Sequence, residues 1–276
     1  MKGQIIKIIS NLYTVDVEGK IYECHSRGKF RNLNITPLVG DNVVIDAENN
    51  YILEIEERKN SLVRPLVANI DQAFVITSVK QPDFSTNLLD KLLTVLEIND
   101  IDAIICITKY DLLNRKEKKE VNKYLNYYKK LGYRVVINTK IRKIKKMFKN
   151  KTTVFTGQTG AGKSTLINKL DKNLNLATGE ISKALGRGKH TTRHVELLKL
   201  YKGKVLDTPG FSSIDLSSYS KEQIKEAFIE FKNNPCPYKD CNHLNEKECE
   251  IKRLVKDEKI LESRYENYKK FIMEAK

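Results

Sequence analysis

The sequence predicts an α/β protein in which a small β-barrel precedes a doubly wound sheet, and a short cysteine-rich helical segment follows. Three observations indicate this class. The first 64 residues hold five short runs rich in β-branched and aromatic residues. From about residue 66, apolar strands alternate with helical patterns, which is typical of parallel sheets. Three of the five cysteines fall within residues 236–249. We therefore expect domains over residues 1–64, 65–232 and 233–276.

The barrel prediction depends on strand spacing. Gly, Asn or charged turns separate the five runs, which cover residues 4–9, 12–18, 20–26, 41–47 and 51–57. Five short strands in so few residues suit an OB-fold, although an SH3-like barrel would show much the same pattern. The loop at 27–31 (RGKFR) is basic and aromatic, with Arg27, Lys29 and Arg31 around Phe30. Such a loop could contact nucleic acid or simply be solvated.

The middle of the chain predicts alternating strands and helices. Strands are expected within residues 70–79, 101–108, 133–138, 151–156 and 197–207, the last as a pair. Helices are expected over residues 85–99, 114–131 and 140–151, from Gly162, and over 220–231 with an end near Asn233. A final helix is expected from about residue 257. The continuous apolar character of the strands favours a sheet that is buried on both faces.

Composition narrows the class of protein. Hydrophobic residues make up 40% and charged residues 31% of the 276 residues, which is ordinary for a folded soluble chain. No apolar run approaches the ~18 residues of a membrane span, and the N-terminus lacks the pattern of a signal or transit peptide. An odd number of cysteines, five, argues against a disulfide framework and favours a reducing cytoplasm. A monomer is expected.

Positive charge is concentrated in the middle of the chain. The formal net charge is +15. Residues 65–150 carry 17 bases and 9 acids, and residues 151–232 carry 14 and 8, whereas residues 1–64 are neutral and 233–276 carry +1. The densest run, residues 140–151, has seven bases and no acid. Nucleic acid is the first partner this indicates and an anionic membrane the second; a lysine-rich solvated surface is the alternative.

A phosphate-binding loop matches G-x-x-x-x-G-K-[ST] in full. Its residues are Gly157, Gln158, Thr159, Gly160, Ala161, Gly162, Lys163 and Ser164, followed by Thr165. A β-branched strand precedes the loop and a helical pattern follows it, which is the required context. Backbone N–H groups and the helix N-terminus favour a phosphate there. Lys163 is expected on the β and γ phosphates, and Ser164 on Mg²⁺.

Two further motifs select the nucleotide. The D-x-x-G segment Asp207–Gly210 follows an apolar strand, so Asp207 would hold Mg²⁺ through water and the Gly210 amide would sense the γ-phosphate. The segment Thr108-Lys109-Tyr110-Asp111 follows another strand. The Asp111 carboxylate would accept hydrogen bonds from guanine N1–H and its 2-amino group, a donor pair that adenine lacks. The Lys109 stem would lie along the base. Together the motifs predict GTP and GDP as ligands.

The order of the motifs is unusual. In most P-loop GTPases the phosphate loop comes first, then D-x-x-G, then the base-reading motif. Here the base-reading motif comes first and the cyclic order is kept. The sequence therefore predicts a circularly permuted GTPase domain, a change that proteins tolerate because chain termini lie at surfaces.

With these motifs the sequence resembles the ribosome-small-subunit-dependent GTPase A family of circularly permuted GTPases. The resemblance is carried by residues 27–31, NIDQAFVI at 69–76, TKYD, GQTGAGKST, GRGKHTT at 186–192, DTPGF and the Cys/His cluster. It implies a GTPase that binds the small (30S) ribosomal subunit and its rRNA late in assembly and is stimulated by the subunit. It also implies a contact between the Thr139 backbone and guanine O6, although the family pattern Ser-Ala-Lys is here Asn138-Thr139-Lys140.

The resemblance also assigns the first switch to residues 186–192. One threonine there should complete the Mg²⁺ shell, with Thr191 preferred over Thr192. Phe211 follows D-x-x-G where many GTPases have a water-orienting Gln, so unaided hydrolysis should be slow. His190 is the candidate for orienting the attacking water, with His194 as the second choice; both histidines could instead face solvent or RNA. Lys163, His190 and Thr191 form the expected catalytic set.

A zinc site is predicted near the C-terminus. Cys236, Cys241, His243 and Cys249 fit C-x₄-C-x-H-x₅-C. Three thiolates and one imidazole make a closed tetrahedral site of the structural kind, because no position stays open for substrate. Cys24 and Cys106 lie in predicted strands and are interpreted as core thiols.

Two other functions compete with a GTPase that times subunit assembly. One is an RNA-binding or chaperone module in which nucleotide only sets affinity. The other is a membrane-surface GTPase, which depends on the helix at 140–151 alone. Stimulation of turnover by purified small subunits distinguishes the GTPase that times assembly from the RNA-binding module.

Overall fold

The computed structural model describes residues 1–28, 30, 35–62, 66–171, 195–207, 215–238 and 240–276. It divides into two compact units. The first unit comprises Met1–Ala73, Lys140–Phe155 and Lys163–Phe211, and the second comprises Phe74–Thr139, Thr156–Gly162 and Ser212–Lys276. The division between them falls within two of the strands. The three-domain division expected from the sequence stays a prediction.

The described strands and helices follow the alternation read from the sequence. The strands are β1 Lys2–Ile9, β2 Leu12–Val17, β3 Lys20–Ser26, β4 Asn42–Asp46, β5 Tyr51–Ile55, β6 Ser61–Leu62, β7 Val67–Ala68, β8 Gln72–Ser78, β9 Asp102–Thr108, β10 Arg134–Ile137, β11 Thr152–Gly157, β12 Glu196–Leu200 and β13 Gly203–Asp207. The helices are α1 Thr86–Ile98, α2 Arg115–Lys130, α3 Ile141–Met147, α4 Lys163–Leu170, α5 Lys221–Glu226, α6 Ile229–Lys232, α7 Glu250–Lys256 and α8 Glu262–Glu274.

The N-terminal barrel is confirmed. Strands β1 to β5 pair in the order β1-β2-β3-β5-β4, and β4 returns to β1, which closes the barrel. Alternate side chains point inward, as the period of a strand requires, and their most buried members are Ile5, Val15, Cys24, Val43 and Ile52. Burial of Cys24 confirms its interpretation as a core thiol.

The first unit continues from the barrel into the α/β part. Strand β12 pairs antiparallel with β1, and the ion pair between Lys7 and Glu196 lies at the point of contact. Strand β13 then pairs antiparallel with β12 and parallel with the first residues of β11. The tight turn between β12 and β13 needs Gly203, because a Cβ there would lie 2.0 Å from the Phe148 carbonyl oxygen.

In the second unit the strands follow the order β10-β9-β8. Strands β9 and β10 pair parallel, and six of the seven residues of β9 are buried, as the continuous apolar run predicts. Helix α1 begins at a Ser85 cap, and α2 begins at a capping box formed by Asn114 and Glu117. Cys106 is fully buried in β9 and is a core thiol, as expected.

Three helix predictions were wrong in their bounds. The helix expected over 220–231 is two helices, α5 and α6, because Phe228 adopts extended backbone and buries its ring against Phe231 and Tyr268. The final helix begins at Glu262 rather than near 257, since Leu261 is extended; a separate helix, α7, precedes it. The basic helix is shorter than expected and ends at Met147.

A buried ion network connects four helices of the second unit. Arg264 of α8 is fully buried and donates to Glu230 of α6 at 2.7 Å and to Asp90 of α1 at 2.8 Å. The Tyr128 hydroxyl of α2 donates to Asp90 at 2.6 Å. Buried charges of this kind need both pairing and hydrogen bonds, and here both are present.

Candidate nucleotide site and metal centre

The phosphate-binding loop leaves the sheet at Gly157. This glycine has a φ of +132°, and a Cβ there would lie 2.1 Å from the Ile76 carbonyl oxygen, so no side chain fits. Gly162, with a φ of +95°, ends the loop, and α4 begins at the next residue, Lys163. The loop therefore runs directly into a helix N-terminus, the arrangement that binds phosphate groups.

The two chemistry-bearing residues at the start of α4 are at least partly withdrawn from water. Ser164 is 9% exposed. Burial lowers the pKa of the Lys163 ammonium, because the charged form loses hydration there. A nearby phosphate would reverse that penalty. Thr165, the next residue along the helix, is exposed.

The predicted base-reading motif contacts the phosphate loop. Thr108 ends β9, and its buried hydroxyl donates to the Ala161 carbonyl at 2.6 Å. Lys109 has a left-handed backbone, and its ammonium donates to the carbonyl of Gly160 at 3.2 Å and to that of Gln81. The two motifs, about fifty positions apart in the sequence, therefore meet through these hydrogen bonds.

The other residues predicted for the base site lie at the ends of neighbouring strands. Tyr110 and Asp111 form a 3₁₀ turn after β9, and the Asp111 side chain is exposed and open to a ligand. The Asn138 N–H after β10 donates to the Ile107 carbonyl at 2.9 Å, which places exposed Thr139 beside the end of β9. The Asn138 Oδ1 is buried and has no hydrogen-bond partner within the described residues.

Several predicted residues lie outside the described residues. They are His190, Thr191, Thr192 and His194 of the first switch, together with Gly210 and Phe211 after β13. Asp207 is the last residue of β13, but its side chain is not described. Their assigned roles stay predictions.

The four predicted zinc ligands come together in space. The Nδ1 atom of His243 lies 3.3 Å from Cys236 Sγ, 3.4 Å from Cys241 Sγ and 3.5 Å from Cys249 Sγ. All four ligand atoms lie within 4.8 Å of one another. A tetrahedral zinc with ordinary Zn–S and Zn–N bonds would place its ligand atoms about 3.5–3.8 Å apart. The donor set and its spacing fit a closed zinc site.

Burial disfavours thiolates in this cluster unless a cation compensates their charge. Burial raises the pKa of the Cys241 thiol to about 12 and also raises that of Cys249. Burial lowers the pKa of His243, so the imidazole is neutral near pH 7. Thiols need compensation to ionise in such surroundings, and a divalent cation supplies it when it binds.

Helix α8 supports the cluster from one side. The Tyr265 hydroxyl donates to the His243 carbonyl at 2.6 Å, and the Tyr268 hydroxyl donates to the Asn242 carbonyl at 2.7 Å. Phe231 presents its ring to the His243 imidazole, with 5.0 Å between centroids. Both tyrosines lie in the final helix that the sequence predicts, but their spacing on α8 gives no sign of these polar contacts.

Comparison with known proteins decides the family. A family model described as the RsgA GTPase matches residues 55–217, and one described as the RsgA N-terminal domain matches residues 2–52. The chain belongs to the RsgA family of GTPases. It is therefore a GTP hydrolase, as the motifs predicted, and it binds guanine nucleotide.

Individual relatives match over nearly the whole chain. Proteins named small ribosomal subunit biogenesis GTPase RsgA are similar to it in Enterococcus faecalis (47% identity; 99% of this chain and 95% of the relative) and in Latilactobacillus sakei (48%; 99% and 96%). The crystal structure of YloQ, a circularly permuted GTPase, aligns with a TM-score of 0.82 at 37% identity, over 99% of this chain and 94% of that one. YjeQ from Thermotoga maritima aligns at 0.83 and 35%, over 99% and 97%. The predicted fold class, with its circular permutation, is confirmed.

The contact between Thr108 and the phosphate loop of this RsgA-family chain can be tested by mutation. We expect Thr108→Val to weaken GDP binding at least about fivefold, because the empty loop without this hydrogen bond can leave the conformation that binds phosphate, and restoring that conformation costs ~1 kcal/mol or more. Titration with a fluorescent GDP analogue measures the change. Thr94→Val is the matched control, since the Thr94 hydroxyl is equally buried but bonds to the Asp90 carbonyl within α1. Equal GDP affinity in both variants would contradict the assignment.

The candidate metal centre leads to a second prediction. Gently purified protein should contain about one zinc per chain, measured by atomic emission. Cys241→Ser should lose most of the metal because it removes one of four ligands. Cys24→Ala should keep it, because Cys24 lies in the barrel core. A wild-type protein without zinc would refute the site.

Proposed function

We propose that this GTPase acts in the late assembly of the small (30S) ribosomal subunit, binds the subunit and hydrolyses GTP with stimulation by it. The supporting observation is the similarity over nearly the whole chain to proteins named for small ribosomal subunit biogenesis. The barrel, the nucleotide site and the cysteine cluster all fall within the matched length. A cytoplasmic monomer is part of this proposal. None of the helices in the described residues is long and apolar enough to cross a membrane.

Within this proposal the nucleotide has assigned partners. Asp111 reads the guanine edge and the Thr139 backbone contacts O6. Thr108, Lys109 and Tyr110 shape the base side, as the contacts of Thr108 and Lys109 with the loop support. The phosphates lie along the loop, whose binding residues are Gly157, Gln158, Thr159, Gly160, Ala161, Gly162, Lys163, Ser164 and Thr165. Gly210 senses the γ-phosphate.

Two metals complete the proposal. Ser164, Thr191 and Asp207 would hold Mg²⁺, which would neutralise charge on the phosphates when bound. Cys236, Cys241, His243 and Cys249 would hold one structural Zn²⁺. His190 would orient the attacking water, and Lys163 would stabilise charge that develops on the phosphates.

The rRNA is proposed to contact a basic surface of the first unit, formed by exposed residues of α3 and the β12–β13 turn. Arg142, Lys143 and Lys146 are exposed on α3. The Lys145 ammonium lies 4.9 Å from the centroid of the Tyr201 ring, which is 43% exposed at the turn. Lysines beside an accessible aromatic ring suit a nucleic-acid backbone and its bases.

A groove extends this basic surface toward the barrel. It has a volume of about 650 Å³, and its lining includes Lys151, Lys199, Lys202 and Lys204. Burial lowers the pKa of Lys204, whose ammonium donates to the Gln4 side chain at 2.5 Å. Clustered cations of this kind release counterions when they bind phosphates, so affinity should fall with salt. The charge excess noticed in the sequence is consistent with such a role.

Turnover measurements test the proposed function. GTP hydrolysis should rise well above tenfold when purified small subunits are added, and large subunits should have little effect. His190→Ala should bind GTP normally and lose most of the stimulated turnover, because water would no longer be oriented. Phosphate release under multiple turnover measures both. Absence of stimulation would favour an RNA-binding module in which nucleotide only sets affinity.

The basic surface is tested separately by charge removal. The double variant Lys143→Ala/Lys146→Ala should bind small subunits several-fold more weakly at low salt, and the salt slope should fall by about 0.9 for each lost phosphate contact. GDP affinity should not change. The matched control is Lys116→Ala/Lys119→Ala, which removes two exposed lysines from α2, another lysine-rich helix. Equal weakening in both variants would mean that charge acts without a defined surface.

A further inference from the structure

Helix α8 makes polar contacts on two sides within the second unit. On one side Tyr265 and Tyr268 hold the backbone of the Cys/His cluster through the His243 and Asn242 carbonyls. On the other side Arg264 and Asn267 reach Asp90 of α1. The four residues lie within two turns of one helix, so a shift of the cluster and a shift of α1 involve the same backbone.

Asn267 fastens α8 to the first turns of α1. Its amide nitrogen lies 2.6 Å from Asp90 Oδ2 and 3.4 Å from Thr86 Oγ1, and its amide oxygen accepts from Asn87 at 3.1 Å. The Asn267 residue is only 4% exposed. One side chain therefore bonds to the first, second and fifth residues of α1. Any tilt of α8 would change these bonds at the N-terminal end of α1.

The beginning of α1 lies against the phosphate loop. Ser85, which caps α1, and Leu88 line a small cavity together with Gln158 of the loop. A Cβ on Gly160 would lie 3.8 Å from Pro82, three residues before the cap. The Lys109 ammonium bridges the carbonyls of Gln81 and Gly160. The segment that leads into α1 thus forms one wall of the phosphate loop.

The ion network limits how far this connection can yield. Arg264 is held by Glu230 and Asp90, and the Arg264 guanidinium lies 4.3 Å from the centroid of the Phe228 ring. Removing one partner of such a buried pair leaves a charge without compensation, so alternative orientations of α8 are costly. A displacement at one end of α8 then moves α1 as well, because the contact between Arg264 and Asp90 does not change its geometry easily.

We propose that Asn267 is a positioning residue for the phosphate loop, and that through it metal binding at the Cys/His cluster and nucleotide binding at the loop strengthen each other. The proposal rests on the zinc site proposed above. If both ligands favour the same placement of α8 and α1, each raises the affinity for the other by the same factor. Asn267 touches neither ligand and acts through the first turn of α1.

The zinc affinity of the protein tests the coupling. Equilibrium competition with a chromogenic chelator of known affinity reports the zinc Kd with and without saturating GDP. In the wild type GDP should lower that Kd at least fivefold, the lower end of ordinary coupling between sites. In Asn267→Ala the ratio of the two Kd values should fall close to one while GDP still binds, and GDP affinity of the zinc-loaded variant should drop by a similar factor.

Lys91→Ala is the matched control. It removes an ion pair with Glu274, at 2.5 Å, that joins the same two helices further along both of them. This variant should keep the wild-type ratio. A general loss of stability would lower the ratio in Asn267→Ala and in Lys91→Ala alike. Equal ratios in these two variants would overturn the proposal. Tyr265→Phe tests the metal side of the connection with Asn267 intact, and it too should reduce the ratio.

The outcomes separate the two proposals. Wild-type protein that carries no zinc refutes the metal site. Wild-type protein that carries zinc but binds it with the same Kd with and without GDP refutes the coupling and leaves the metal site intact. If Asn267→Ala fails to fold, Tyr265→Phe decides; a full wild-type ratio in that variant also overturns the connection.

Discussion

The second unit depends on one buried cation. Arg264 lies where helices α1, α2, α6 and α8 meet, and its pairing with Asp90 and Glu230 sets the distance and rotation of those helices. Burial alone raises the pKa of Asp90, and the guanidinium opposes that effect. Apolar packing would tolerate several rotations of α8. The two hydrogen bonds from Arg264 to Glu230, at 2.7 and 3.3 Å, and the one to Asp90 tolerate few. The C-terminal helix is thereby fixed against the nucleotide-binding part of the unit.

Circular permutation gives this arrangement its significance. Because the base-reading motif precedes the phosphate loop in the chain, the segment after D-x-x-G leads directly into α5 to α8 and the Cys/His cluster. In the usual motif order that place in the sequence lies in the middle of the domain. Here the helices α5 to α8 follow that segment. The last of them, α8, contacts α1, which comes near the start of the α/β part.

The sequence predicted most elements, because local signals determine them, and it predicted the set of Cys/His residues that the fold brings together. Alternation predicted the five barrel strands, and the continuous apolar run predicted β9. The sequence did not predict the break at Phe228, because that break results from tertiary burial of the Phe228 ring, which no helical period reveals. It also did not predict the late start of α8, where Leu261 is extended. Arg264 was missed as well. An arginine among apolar positions of a helix gives no sign of partners 174 residues away.

The hydrogen bonds from Thr108 and Lys109 to the phosphate loop also bear on the kinetics of exchange. In the proposed site, the segment of Thr108 and Lys109 would contact the base, and the phosphate loop would contact the phosphates. Hydrogen bonds to the carbonyls of Gly160 and Ala161 join these two segments. In the proposed nucleotide site, loosening the base side would then loosen the phosphate side in the same event. Departure of GDP would then be a single concerted step. A factor that displaced either the segment of Thr108 and Lys109 or the phosphate loop would accelerate the release of the whole nucleotide.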